Sequence, residues 1–223
     1  VYPRTVAAHV AAALGAAGGR GASPEPAAPA PTTAPPSIVD VGCGTGALAE
    51  TLALLRPDAD VDGLDISPEM LAVARAKRRP DGTPLYRELV VADLTASPGD
   101  GPLGSLAGRY DVVASVGTFT HGHLGPEVLA TVAALARPGG RLVIGINEAH
   151  FDAHGFGAAL DSLVAAGTLR DATTTRVWIY LPTPTSAPVA ARGDAPAATS
   201  AAAPADDHSA DTALVLTAVR SPA

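Results

Sequence analysis

Two hydrophobic periodicities alternate along most of this chain. Residues 4–17 (RTVAAHVAAALGAA) set Val6, Val10 and Leu14 four apart, which predicts an amphipathic helix with one buried face. Glycines at 15, 18, 19 and 21 end that pattern, and the proline- and alanine-rich residues 21–37 read as a flexible or extended linker. The apolar run Ser37-Ile38-Val39-Asp40-Val41 then predicts a buried strand, and Ala47 to Arg56 a helix stopped by Pro57. Val61 to Ile66 repeats the strand. Ser67-Pro68-Glu69 supplies an N-cap, a first-turn proline and a first-turn acid for a helix from Met70 to Arg78.

The rhythm continues with strands at Tyr86–Ala92 and Tyr110–Val116, separated by a Pro/Gly-rich stretch with room for one short helix. Pro126 opens a helix through Arg137, and Pro138-Gly139-Gly140 turns into a strand from Arg141 to Ile146. Strands alternating with helices predict βαβ units, hence an α/β fold with a mostly parallel sheet. After Ile146 the pattern changes. A helix at Phe156–Ala166 is followed by a β-branched run Thr173–Tyr180, a second Pro/Ala-rich tract and a final strand Thr212–Val219. Two strands with no helix between them do not make a parallel crossover, so they predict an antiparallel pair at the sheet edge. We expect a single domain over residues 1–223, with flexible segments at about 21–37 and 182–208.

Composition narrows the partners. A chain of 223 residues is long enough for one sizeable core. Its net charge of -7 offers no general attraction to nucleic acid, and the single basic run, "RAKRR" at 75–79, reads as a solvated helix C-terminus. No apolar run approaches the ~20 residues of a membrane span. One cysteine, Cys43, excludes an internal disulfide and fits a cytoplasmic setting. Nothing in the sequence sets an oligomeric state.

The chemistry gathers at "VDVGCGTGALAE", where Gly42, Gly44 and Gly46 separate the first strand from its helix. The unpaired amides of a helix start, reached through a glycine turn, make a ligand seat. A P-loop is absent, and no Lys or Arg lies near the loop to neutralise a triphosphate. The run does satisfy G-x-G-x-x-A, so a dinucleotide and an NAD(P)-dependent oxidoreductase stay open. Asp65 follows Gly46 by 19 residues, at the end of the second strand, where a carboxylate can accept ribose hydroxyls. Asp93 ends the third strand in "VVADL", where it can accept an exocyclic amine, and Asp40 precedes the loop, where it can help hold an ammonium group. Three acids at successive strand ends favour a positively charged adenosine ligand over a pyrophosphate.

Together "VDVGCGTG", "GLDIS", "VVADL", "YDVVASVGTFTHGHLG" and "LARPGGRLVIGI" resemble a class I S-adenosylmethionine-dependent methyltransferase over residues 38–146. Within that class, "GTFTHGHLGP" followed by "PGG" is similar to the small methyltransferase-like proteins of the Williams-Beuren region and their bacterial relatives. The resemblance implies a Rossmann-like three-layer sandwich, with a seven-stranded sheet in order 3-2-1-4-5-7-6 and only the last strand antiparallel. It implies S-adenosylmethionine as cofactor, with Gly42, Gly44 and Gly46 cradling its methionine part, Asp65 holding the ribose and Ile66 among the cofactor-binding residues. Asp93 and the Leu94 amide read the adenine, and Ser115 and Val116 lie beside the sulfonium. Cys43 is then a small residue beside the cofactor. Many relatives carry an aromatic-rich segment ahead of the first helix, of which Val1-Tyr2-Pro3 is the counterpart here.

His121 and His123 in "THGHL" follow the fourth strand on the ligand side, as candidates for acceptor orientation or proton transfer. A lone His-x-His without further ligands predicts no metal site. His150 and His154 read as pocket-lining or surface helix-cap residues, and Trp178 mainly as strand packing. The little chain between the fifth strand and the edge pair favours a small-molecule acceptor. A non-catalytic S-adenosylmethionine-binding module is the remaining alternative.

Overall fold

Burial of alternate residues on two faces organises the chain into one layered sheet. The computed structural model describes residues 2–18, 34–96, 101–120, 123–179 and 211–222. Helix α1 (Tyr2–Gly18) leads to strand β1 (Ser37–Val41), then α2 (Ala47–Leu55), β2 (Asp60–Asp65), α3 (Pro68–Ala76) and β3 (Glu88–Val91). α4 (Gly101–Leu106), β4 (Tyr110–Phe119), a 3-10 turn at Pro126–Val128, α5 (Leu129–Leu135) and β5 (Ala136–Asn147) follow. The chain then forms α6 (Glu148–His154), α7 (Phe156–Ala165), β6 (Leu169–Trp178) and β7 (Thr212–Arg220). Most of the residues read as Pro/Ala-rich tracts, 21–37 and 182–208, lie outside the described residues.

The seven strands lie in the order β3-β2-β1-β4-β5-β7-β6. β1, β2, β3, β4 and β5 pair in parallel, and β7 runs antiparallel to both β5 and β6. The expected order and the expected single antiparallel strand are both present. A period-2 strand puts neighbours on opposite faces. Accordingly Ile38 packs with Val6, Val10 and Leu14 of α1 and Leu48 and Leu52 of α2, whereas Val39 and Val41 face Val132 of α5 and Phe156 of α7. On that second face Phe119 meets Phe156 edge to face, with centroids 6.0 Å apart.

Several boundaries differ from expectation for tertiary reasons. Tyr86 and Arg87 stand outside β3, and their side chains turn to buried carboxylates, Asp40 and Asp62. β4 runs on to Phe119 through an irregularity between Ser115 and Phe119 in its pairing with β5. β5 starts at Ala136 rather than Arg141, because Ala136 already pairs with Tyr110 while 137–140 bulge before Arg141 meets Val112. Helix α6, unexpected from periodicity, is nucleated by the Asn147 side chain accepting the His150 amide at 3.0 Å. The basic run is more engaged than a solvated helix end. Lys77 pairs with Glu50 at 2.8 Å, Arg78 covers the Arg75 and Lys77 carbonyls, and Arg79 donates to Pro57 and Ala59.

A polar network is buried away from the glycine loop, on β2. Asp62 is fully buried and accepts both a forked pair of bonds from Arg87, at 2.9 and 2.6 Å, and the Tyr110 hydroxyl at 3.0 Å. This satisfies a charge that would otherwise be expensive to bury. Its other members are 25 and 48 residues from Asp62 in the chain, so no local spacing marks this network.

Candidate functional site

The carboxyl ends of β1 to β4 meet at the glycine loop, the edge where open α/β sheets place their ligands. Gly42, Gly44 and Gly46 have φ of 65°, 52° and 97°, the left-handed region that L side chains rarely adopt. Gly42 and Gly44 serve different purposes. A Cβ on Gly42 would stand 2.1 Å from the Thr118 hydroxyl oxygen, whereas one on Gly44 would meet nothing within 4 Å. Gly42 is therefore required by protein packing. Gly44 leaves open space over the loop.

The loop is held from two neighbouring strands, β2 and β4. The Cys43 amide donates to the Leu64 carbonyl at 2.9 Å, and the hydroxyls of Ser115 and Thr118 both donate to the Val41 carbonyl, at 2.8 and 3.0 Å. Asp65 receives the Gly44 amide on one oxygen at 2.8 Å and the Ser67 amide on the other at 2.9 Å. Its carboxylate thus ties the end of β2 to the loop and keeps lone pairs free for further donors. Ile66 beside it is 65% exposed, an apolar surface at the same edge. Ser67 caps α3 by accepting the Met70 amide at 3.1 Å.

Asp93 is exposed beyond β3 and accepts the amide and hydroxyl of Thr95 at 2.9 and 2.7 Å. Those bonds hold its carboxyl below the usual carboxylate range, so it is ionised at neutral pH. The Leu94 side chain is buried, Ser115 is fully buried and Val116 is half-buried against the α1 face of the core.

Asp40 lies deeper than the sequence analysis placed it. It is 1% exposed, and its carboxyl accepts the Tyr86 hydroxyl at 2.8 Å. Burial pushes its pKa up to about 7, with Asp65 adding repulsion and the Tyr86 bond opposing both. Burial also raises the Cys43 thiol, with the Asp40 and Asp65 charges acting in the same sense, so Cys43 is an unreactive thiol packed in the core. Tyr86 was missed by sequence reasoning, since it was read only as the start of a strand.

His121 lies outside the described residues. His123 is exposed, and its amide donates to the Thr120 carbonyl at 3.1 Å. His150 is buried at 2% exposure rather than at a surface cap. Its Nε2 meets the Leu124 carbonyl at 3.0 Å, and its ring lies 4.1 Å from that of His154. It therefore anchors the loop that follows β4 to α6. Trp178 sits half-exposed at the end of β6. Among the described residues no group of three or more His, Cys, Asp or Glu is placed to hold a metal ion, and no helix is long and apolar enough to cross a membrane.

The open position at Gly44, the acids Asp65 and Asp93, the exposed Ile66 and the absence of Lys or Arg from residues 37–55 fit an adenosyl ligand that carries positive charge. The strand order is that of the class I S-adenosylmethionine-dependent methyltransferase fold. Residues 39–142 match the family model described as a methyltransferase domain. It is 36% identical over 107 residues to a ubiquinone biosynthesis O-methyltransferase of Aeromonas salmonicida, covering 48% of this chain and 41% of that protein. It is 38% identical over 106 residues to the ubiquinone biosynthesis O-methyltransferase of Vibrio parahaemolyticus, covering 47% and 41%. The matched segment thus spans well under half the length of these curated relatives.

Among solved structures, a 16S rRNA (adenine(1408)-N(1))-methyltransferase from Catenulisporales acidiphilia superimposes with a TM-score of 0.53 at 20% identity, covering 85% of this chain and 87% of that one. A protein of Agrobacterium tumefaciens described as a predicted O-methyltransferase gives 0.53 at 18% identity, covering 83% and 74%. At these identities the likeness is one of fold.

Proposed function

We propose that this protein transfers a methyl group from S-adenosylmethionine to a nucleophilic atom of a small-molecule acceptor. The observation that carries this reading is the glycine loop, where Gly44 leaves open space beside an Asp65 carboxylate already aimed at the loop. When bound, the cofactor supplies a methyl group on a positively charged sulfur, already activated for in-line displacement. The chain's own work is to hold, orient and shield.

The Gly42–Gly46 backbone admits the methionine part of the cofactor, Asp65 accepts ribose hydroxyls, and Ile66, Leu94 and Asp93 frame the base. Ser115 and Val116, behind the loop, form the wall on the reacting side. His121 and His123 follow β4 in the sequence, and an imidazole there would orient the acceptor or take its proton. Positioning of the acceptor within about 3 Å of the methyl carbon then supplies much of the rate. The O-methyltransferase names of the curated relatives support a small-molecule acceptor. The narrower likeness to the Williams-Beuren-region proteins rests on the loop after β4 and adds no substrate.

Calorimetry tests the cofactor. Binding of S-adenosylmethionine and of S-adenosylhomocysteine, with no heat from NADH, is the expected result, and saturable NADH binding in their place would overturn the reading. Incubation with methyl-labelled cofactor and, in parallel, a metabolite extract or total RNA then identifies the acceptor, and label appearing only in RNA would refute the small-molecule assignment.

A further inference from the structure

We propose that Tyr86 is a positioning residue for the cofactor, its hydroxyl holding the Asp40 carboxyl beneath the glycine loop so that cofactor binding is coupled to release of a proton from Asp40. The inference rests on the S-adenosylmethionine reading above. It goes beyond that reading by assigning Tyr86 a role and the seat a proton.

Tyr86 is buried just ahead of β3, between the loop and β2. Its ring lies 3.1 Å from where a Cβ on Gly46 would stand and 3.0 Å from one on Gly63 of β2. Two glycines thus make room for one aromatic ring. The Cys43 sulfur lies 2.9 Å from the same Gly63 position, so thiol, ring and loop pack as one unit. At the centre the Tyr86 hydroxyl meets Asp40 at 2.8 Å.

The groups facing Asp40 leave its charge uncompensated. Gly63 of β2 and Ala114 of β4 flank it in the sheet, and α1 and α2 present Val6, Val10, Leu48 and Leu52 to this layer. Among the described residues, the titratable groups that act on it are the Tyr86 hydroxyl, the Cys43 thiol and the Asp65 carboxylate, and none of these is a cation. Burial therefore keeps the carboxyl protonated up to about pH 7 in the ligand-free protein. A ligand carrying an ammonium and a sulfonium on the adjoining loop favours the ionised form. The Asp40 O–H bond then breaks, the proton passes to solvent, and the Tyr86 hydroxyl donates to the carboxylate left behind. Binding is strong where the carboxylate is already ionised and weakens as the pH falls below about 7.

The test is calorimetric titration of S-adenosylmethionine from pH 5.5 to 8.5, in two buffers of different ionisation enthalpy, with the full chain. In the wild type, Kd should rise toward tenfold per pH unit below neutrality, with up to one proton released per ligand bound. Asp40→Asn should lose both effects and supplies the ligand's own titration as the baseline. Tyr86→Phe keeps the ring under the loop and removes a donor to the ionised form, so the midpoint should move up by about one pH unit or more. If the ligand binds with a pH-independent Kd and no proton release beyond the Asp40→Asn baseline, the coupling is refuted while the cofactor assignment stands. If Tyr86→Phe superimposes on the wild type, Tyr86 has no positioning role. Absence of binding at every pH, in protein with an intact near-UV spectrum, instead overturns the cofactor assignment itself.

Discussion

Replacing Asp40 by Asn separates the stability of the fold from the chemistry of its seat. In the folded chain the carboxyl titrates at about 7 instead of 3.8, because it is buried and, among the described residues, faces the Tyr86 hydroxyl and the Asp65 charge with no cation beside it. Between those values the folded state holds a proton that the unfolded state has lost. Stability from this group is therefore fully present below about pH 3.8 and is lost as the pH rises through about 7. The steepest loss for one proton is about 1.4 kcal/mol per pH unit, and the whole interval amounts to about 4 kcal/mol. Asn carries no proton to lose and preserves an acceptor for the Tyr86 hydroxyl, while its amide adds a buried donor at a fixed, pH-independent cost.

The quantity to measure is the difference in unfolding free energy between Asp40→Asn and wild type, from urea titrations of ligand-free protein at intervals from pH 4 to 8.5. The difference cancels every other titrating group. It should climb in favour of the variant by about 1.4 kcal/mol per pH unit between pH 5 and 6.5 and level off above pH 7. A difference that stays flat across that range would refute the reasoning, since it would mean that Asp40 ionises alike in the folded and unfolded chains.

Gly42→Ala and Gly44→Ala should part in their effects. The first puts a Cβ into the Thr118 hydroxyl at positive φ and should cost about 2–4 kcal/mol of stability in denaturant titrations. The second meets open space, so it should cost about 1–2 kcal/mol from its backbone conformation alone while weakening S-adenosylmethionine binding at least tenfold by calorimetry. Asp65→Ala removes the acceptor of the Gly44 and Ser67 amides and should weaken cofactor binding by about 1.5–3 kcal/mol, an unchanged Kd being the contrary result. Arg87→Ala leaves the buried Asp62 with only the Tyr110 hydroxyl and should destabilise the fold by about 3 kcal/mol, whereas Arg87→Ala combined with Asp62→Leu should recover much of that loss.

Strand–helix alternation placed β1 through β5 because each strand carries a short apolar or β-branched stretch, buried in β1 and partly buried in β3, and helices open or close on local signals such as the Ser67 cap or Pro57. The glycine loop and the acids Asp65 and Asp93 were readable for the same reason, since their chemistry depends on residue type and on position just after a strand. Helix α6 was not readable. It stands on one Asn147 cap and on a His150 ring that the Leu124 carbonyl draws into the core, and that carbonyl is 26 residues away.

The sequence by itself determined the order of elements, the loop that strips its side chains and the acids that follow the strands, because these depend on spacing along the backbone and on side-chain chemistry. Only the tertiary structure decided that Gly42 answers to Thr118 while Gly44 stays open, that Arg87 and Tyr110 serve Asp62, and that Asp40 sits in the core against Tyr86. Each is a contact between segments far apart in the chain. A residue's exposure, partner and protonation are set by what the folded chain packs around it.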